Sequence, residues 1–152
     1  MSGDKLDLAG YLTDALEAQL AQAGSFEVRM APLERGVDPD FVKSYPDADV
    51  DAYLDVVIKR AGYSAQYSST PYVPTIYAPV RLVEARTGRV LYTTAIAITE
   101  SSFVPKGSTQ LEPDGHYAFS NFEALSSDRA RAQEGLKVAA QQIAHQIATD
   151  LR

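Results

Sequence analysis

Apolar and polar positions change period several times along this chain, and the clearest pattern lies between Thr75 and Glu100. Two apolar runs meet there at Arg86-Thr87-Gly88. Gly88 takes a positive φ without a Cβ clash, so the pattern predicts a β-hairpin closed by a three-residue loop. With Ala85 opposite Arg89, Ile76, Ala78, Val80 and Leu82 share a face with Tyr92, Thr94, Ile96 and Ile98. That face is the expected core, because strand side chains alternate between two sides. The other face carries Tyr77, Pro79, Arg81 and Val83 beside Leu91, Thr93, Ala95 and Ala97. It is half apolar and made mostly of small residues, so it is expected to lie open to water or a partner.

Ahead of the hairpin, Leu8, Leu12, Ala15, Leu16 and Leu20 recur at spacings of three and four, which predicts an amphipathic helix over residues 4–23. Asp4 and Asp7 suit its positive end and Gly24 its C-terminal stop. Phe26, Val28 and Met30 alternate with Glu27 and Arg29 as a short strand. Asp38 as N-cap and Pro39 at the first helical position predict a short helix through Tyr45. Residues 52–67 read as a strand bent or bulged at Gly62. A loop with Pro71 and Pro74 leads from it into the hairpin, where Pro79 signals an edge or a bulge because it has no N–H to donate.

Beyond Glu100, residues 101–117 hold Pro105, Gly107, Pro113 and Gly115 without a sustained period, and are expected to form a long exposed loop. Phe119, Phe122 and Leu125 are expected to fold back onto the core. Ser127 then caps a final helix with Leu136, Ala140, Ile143, Ile147 and Leu151 on one face. The sum is a single α+β domain over residues 1–152: an antiparallel sheet of about four strands, with the N- and C-terminal helices packed on one face.

Composition narrows the function classes. With 152 residues and 45% hydrophobic content, the chain is long enough for one core without metal or disulfide staples. Its net charge of −6 argues against nucleic acid, whose recognition draws on a basic field. The charge is uneven: residues 1–55 hold 12 acids and 4 bases, whereas residues 56–111 hold 2 acids and 6 bases. A more basic sheet beside an acidic helical side suits oriented docking. No cysteine is present, so thiolate nucleophiles and Cys-based zinc sites are excluded. Met1-Ser2-Gly3 reads as a cloning start ahead of Asp4, and no run of transmembrane length follows.

Candidate chemistry is sparse. The most suggestive constellation is Tyr63, Tyr67, Tyr72 and Tyr77, interleaved with prolines and followed by Arg81. Rigid rings with a polar tip, next to an arginine, are what interfaces and sugar-stacking surfaces use. Asp47, Asp49 and Asp51 alternate like the opening of a calcium loop, yet Ala52 and Ile58 stand where Gly and Glu are required. His116 follows Asp114-Gly115 in the expected loop, and His145 points away from the buried stripe of the last helix. Glycine-rich phosphate loops and dinucleotide fingerprints are absent, so no cofactor is expected. Asp55 with Arg81 or Lys59 is expected to form a modest cross-strand surface pair.

The order helix, strand, short helix, strand, hairpin, helix goes together with two local phrases. One is Asp51-Ala52-Tyr53-Leu54-Asp55-Val56. The other is Val80-Arg81-Leu82-Val83-Glu84-Ala85-Arg86-Thr87-Gly88-Arg89-Val90-Leu91. On these, the chain resembles small envelope domains of Gram-negative bacteria. That group includes the amino-terminal domain of the Tol-Pal translocation protein, the curli-secretion lipoprotein and the lipoprotein activators of penicillin-binding proteins. The resemblance implies a non-catalytic periplasmic binding or assembly domain, the soluble part of an outer-membrane lipoprotein held by an anchor outside this sequence. An envelope protein or a cell-wall polymer is then the expected partner, bound through Tyr63, Tyr67, Tyr72, Tyr77 and Arg81. The alternatives are a small hydrolase or glycan-acting enzyme using the His116 loop, and a structural homo-oligomer.

Overall fold

Four leucines one turn apart, Leu8, Leu12, Leu16 and Leu20, are the buried stripe of helix α1 (Leu8–Gln22) in the computed structural model. The structure describes residues 6–24, 27–29, 40–42, 44–45, 49–67, 70–101 and 104–151. The Asp7 carboxylate accepts the Gly10 N–H at 3.0 Å and so caps α1, and Gly24 (φ 73°) ends it. The helix therefore starts later than the expected residue 4.

Among the described residues five strands follow: β1 (Ala52–Val56), β2 (Arg60–Ser64), β3 (Val73–Glu84), β4 (Val90–Ile98) and β5 (Ser108–Leu111). The twelve-residue β3 is the spine of the sheet. β1 and β2 lie end to end along one side of it, β4 pairs on its other side, and β5 adds to β4 in parallel. The domain is thus α+β with a mostly antiparallel five-stranded sheet. The fifth strand lies inside the stretch expected to be a loop. With Thr109 and Leu111 among polar neighbours it is too short to show a period, and it forms because the Pro105–Gly107 turn aims it at the open edge of β4.

The break in the first strand lies at Val57–Lys59 instead of Gly62, and Pro79 is its cause. Val57 N–H donates to the Pro79 carbonyl at 3.0 Å, so the position where Pro79 lacks an N–H faces the same neighbour. That neighbour carries one residue more than β3 here: Val56 is opposite Val80, and Arg60 is opposite Tyr77. A bulge absorbs the missing donor, which lets proline sit in an inner strand.

The hairpin register is the expected one from Ile76↔Ile98 to Leu82↔Tyr92. It then slips by one, with Val83 opposite Val90, so Leu91 becomes the bulged residue. Gly88 (φ 75°) donates to the Glu84 carbonyl at 2.9 Å, and Glu84 N–H pairs with the Arg89 carbonyl, so the loop takes in Ala85 as well.

Asn121 and Asp128, in place of Ser127, cap the last two helices, α2 (Phe122–Ser127) and α3 (Arg129–Asp150). Helix α3 lies on β3 and α1 packs on α3. Their shared core joins Leu12 and Leu16 to Ala140, Ile143, Ala144 and Ile147 and to Ile76, Ala78, Val80, Ile96 and Ile98 of the sheet. Of the aromatic residues expected to fold back, Phe119 is buried, whereas Phe122 is 64% exposed.

The expected strand around Val28 is not formed by the described residues Glu27–Arg29; Phe26 and Met30 lie outside the described residues. Asp40–Val42, Ser44 and Tyr45 are not helical, and Asp38 and Pro39 lie outside the described residues, as does Asp47.

Candidate functional site

The sheet face away from the helices is less open than its small, half-polar residues suggest. Asp55, Val57, Val83 and Ala97 on it are buried. Part of the cover is the segment containing Phe41, Val42 and Tyr45, clasped by two strand residues directly opposite each other, Asp55 and Arg81. The Asp55 carboxylate accepts the Val42 N–H (2.9 Å) and the Tyr45 hydroxyl (2.8 Å). The Arg81 guanidinium donates to the Tyr45 hydroxyl (3.0 Å) and the Val42 carbonyl (2.6 Å), and lies 4.6 Å from the Phe41 ring centroid. The Tyr45 ring stacks on Tyr53 at 4.9 Å. Burial, and then the hydrogen bond to Asp55, hold the Tyr45 hydroxyl above its ordinary pKa. The expected modest surface pair is thus a partly buried network, and Arg81 is committed to it.

The four tyrosines do not form one patch. Tyr63 lies opposite Pro74 on the helix side, where its hydroxyl donates to the Ala132 carbonyl at 3.1 Å. Burial pushes its pKa up to about 12. Its ring meets Phe119 edge-on at 5.5 Å. Tyr72 exchanges backbone hydrogen bonds with Phe119, and its ring meets Phe122 edge-on at 6.4 Å. Arg131 completes this side: its guanidinium lies 4.7 Å from the Phe119 centroid and donates to the carbonyls of His116 (2.6 Å) and Ala118 (3.3 Å). Tyr77 is on the opposite face, half-buried between Arg60 and Ala97 in the ladder.

Tyr67 is set apart from all of these. Tyr67 is 64% exposed, and its backbone N–H donates to Thr70 Oγ1 (2.9 Å) while its carbonyl accepts from Thr70 N–H (3.1 Å). It stands on the rim of a shallow groove of about 240 Å³ at the end of the sheet, lined also by Ser64, Gln66, Val73, Thr99 and Glu100. β2 leaves the sheet here, β3 enters and β4 ends. Tyr63, Tyr67 and Tyr72 therefore gather at one end of the sheet on two different sides, while Tyr77 and Arg81 lie further along β3.

His116 and Asp114 form their own contact. The Asp114 carboxylate caps the short turn Gly115–Tyr117 by accepting the His116 N–H at 2.9 Å, and the same oxygen lies 2.8 Å from His116 Nδ1. These bonds hold the Asp114 carboxyl below its ordinary pKa, the backbone bond most of all. The imidazole side chain is 92% exposed, and the groove is lined by other residues. His145 is exposed on α3. Among the described residues, no group of three or more His, Cys, Asp or Glu side chains is placed to hold a metal.

Sequence reading missed Phe119, Phe122 and Arg131 as partners of the tyrosines, and Phe41 and Tyr45 as partners of Arg81. The second group left no signal, because an Asp and an Arg opposite each other on a face expected to be open read as a solvated pair. For the first group the spacing held no signal, because Phe119 meets Tyr63 only through the fold. No protein-family model, curated protein or solved structure matches this chain.

Proposed function

We propose that this domain is a non-catalytic binding module of the bacterial envelope, and that it binds at the sheet end where β2 leaves and β3 enters. The observation that carries this reading is the pair of large aromatic residues, Tyr67 and Phe122, each 64% exposed although its neighbourhood is hydrogen-bonded. Tyr67 is bonded through its backbone to Thr70, and Phe122 follows the Asn121 cap and leans on Tyr72. Exposed aromatic side chains on a rigid support lose little entropy when a partner covers them, which is why binding hot spots favour them. The envelope setting rests on the Val80–Leu91 hairpin phrase and its resemblance.

The test is retention of two envelope fractions, purified cell-wall polymer and detergent-solubilised envelope proteins, on the immobilised domain. The wild type is expected to retain one of them saturably, and a Tyr67→Ser, Phe122→Ser double variant of unchanged melting temperature is expected to lose it. Equal retention by the variant overturns the site. Turnover of a substrate by the purified domain overturns the non-catalytic reading.

A further inference from the structure

The groove beside Tyr67 has a lining that selects among ligand classes. Its wall offers neutral polar groups, Ser64, Gln66 and Thr99, with the Val73 side as apolar floor and Glu100 as the one charged residue. A lone carboxylate, with no lysine or arginine among the described lining residues, disfavours phosphates, nucleotides and acidic sugars. At about 240 Å³ the groove falls below the roughly 300–1,000 Å³ usual for small-molecule sites, which leaves room for a single ring-sized unit. An extended peptide binds by adding to a strand edge, but this groove lies across strand ends, where no ladder is on offer.

The polar groups have capacity to spare. Thr75 Oγ1 donates to the Val73 carbonyl at 3.2 Å, so Ser64 Oγ supplies the proton of the 2.6 Å bond between the two hydroxyls and keeps its acceptor sites for a ligand. The Gln66 amide makes a long 3.5 Å contact to the Tyr67 hydroxyl, at the limit of a hydrogen bond, and is otherwise turned to solvent. An exposed, backbone-anchored ring next to serine hydroxyls and a primary amide matches the two faces of a pyranose. Its axial C–H groups stack on the aromatic plane while its equatorial hydroxyls take the polar donors and acceptors.

We propose that this groove is a subsite for one neutral saccharide unit, stacked on Tyr67 and hydrogen-bonded by Gln66 and Ser64. This rests on the binding-module reading and names its ligand class. A saccharide chain that enters here meets the other exposed ring, Phe122, only if it wraps the sheet end, so the groove is tested on its own.

The experiment is amide NMR of the full chain titrated with three probes: N-acetylglucosamine trimer, maltotriose and polygalacturonate fragments as an acidic control. Saturable shifts confined to Ser64–Tyr67 and Thr99–Ser101 are expected with one or both neutral probes and not with the acidic one. Tyr67→Ala is expected to weaken binding at least tenfold, Tyr67→Phe to keep it within threefold, and Gln66→Ala to weaken it several-fold. Absence of shifts with both neutral probes overturns the proposal, as does binding that survives Tyr67→Ala or that prefers the acidic probe. If the saccharides fail while envelope retention still depends on Tyr67 and Phe122, the saccharide assignment falls and the binding-module reading stands. If retention also proves independent of both rings, the two fall together.

Discussion

At Gly135 on α3 a hydrogen stands where any other residue would place a carbon against the Tyr63 hydroxyl and 2.8 Å from Tyr117 Cβ. Helix propensity alone favours alanine here by about 1 kcal/mol, but overpacking costs about 1–3 kcal/mol, so the steric term wins. Gly135→Ala is expected to lower stability in urea unfolding. Adding Tyr63→Phe to it is expected to recover part of the loss, because the overlapping oxygen is gone, whereas independent effects would only add. Tyr63 also sets a pH dependence. Its folded pKa of about 12 is raised above the ordinary 10.0, so the neutral phenol contributes its stability in full below pH 10 and loses it as pH rises through 12. Between those values the wild type is expected to lose stability more steeply than Tyr63→Phe in denaturant midpoints, and parallel slopes would refute this. Tyr92, raised by burial and by its hydrogen bond to Asp150, adds to the same alkaline loss.

Between elements, the Asp55–Arg81 clasp joins one strand pair to the segment holding Phe41 and Tyr45. Asp55 is 3% exposed, and its carboxylate accepts two hydrogen bonds from that segment, so Asp55→Ala leaves the Val42 N–H and the Tyr45 hydroxyl without their acceptor and the Arg81 charge without the carboxylate opposite it. Removing one member of a buried charged pair costs about 3–5 kcal/mol, whereas deleting a hydrogen bond to a charged group costs about 1.5–3 kcal/mol. Asp55→Ala is therefore expected to destabilise more than Tyr45→Phe, which loses a hydroxyl bonded to both Asp55 and Arg81, in equilibrium unfolding, and equal effects would show that the clasp is incidental. Strands and helices were legible here in proportion to their length. The leucine stripe of α1 and the alternation of β3 and β4 each repeat often enough to fix type and buried face. The four residues of β5 do not, and the segment around Tyr45 follows its partners Asp55 and Arg81 instead of its own helix signals.

At the scale of the whole molecule, the exposed large apolar side chains among the described residues fall at two opposite ends of the sheet: Tyr67 and Phe122 at one, Val90 and Leu91 by the hairpin loop at the other. Stable interfaces need about 20–30 residues a side, and two side chains at an end supply a small part of that. The homo-oligomer alternative therefore predicts too little buried area, and light scattering is expected to give the 16.5 kDa monomer mass at every concentration. A mass that rises with concentration and returns to that of the monomer in Leu91→Ser would restore it.

What the sequence determined by itself was periodic: the first helix and its leucine stripe, though not its starting residue, the hairpin register through Leu82↔Tyr92 and the apolar stripe on α3. Each is set by repeats of local spacing, which fix a side chain's face once the element type is known. Only tertiary structure decided where the tyrosines went. Tyr63 and Tyr67 sit four apart, as if on one face, but the chain turns between them, and a proline-imposed bulge upstream resets which side of the sheet β2 presents. A phase error of one residue reverses a strand's faces, and no local spacing records whether the neighbouring strand will force one.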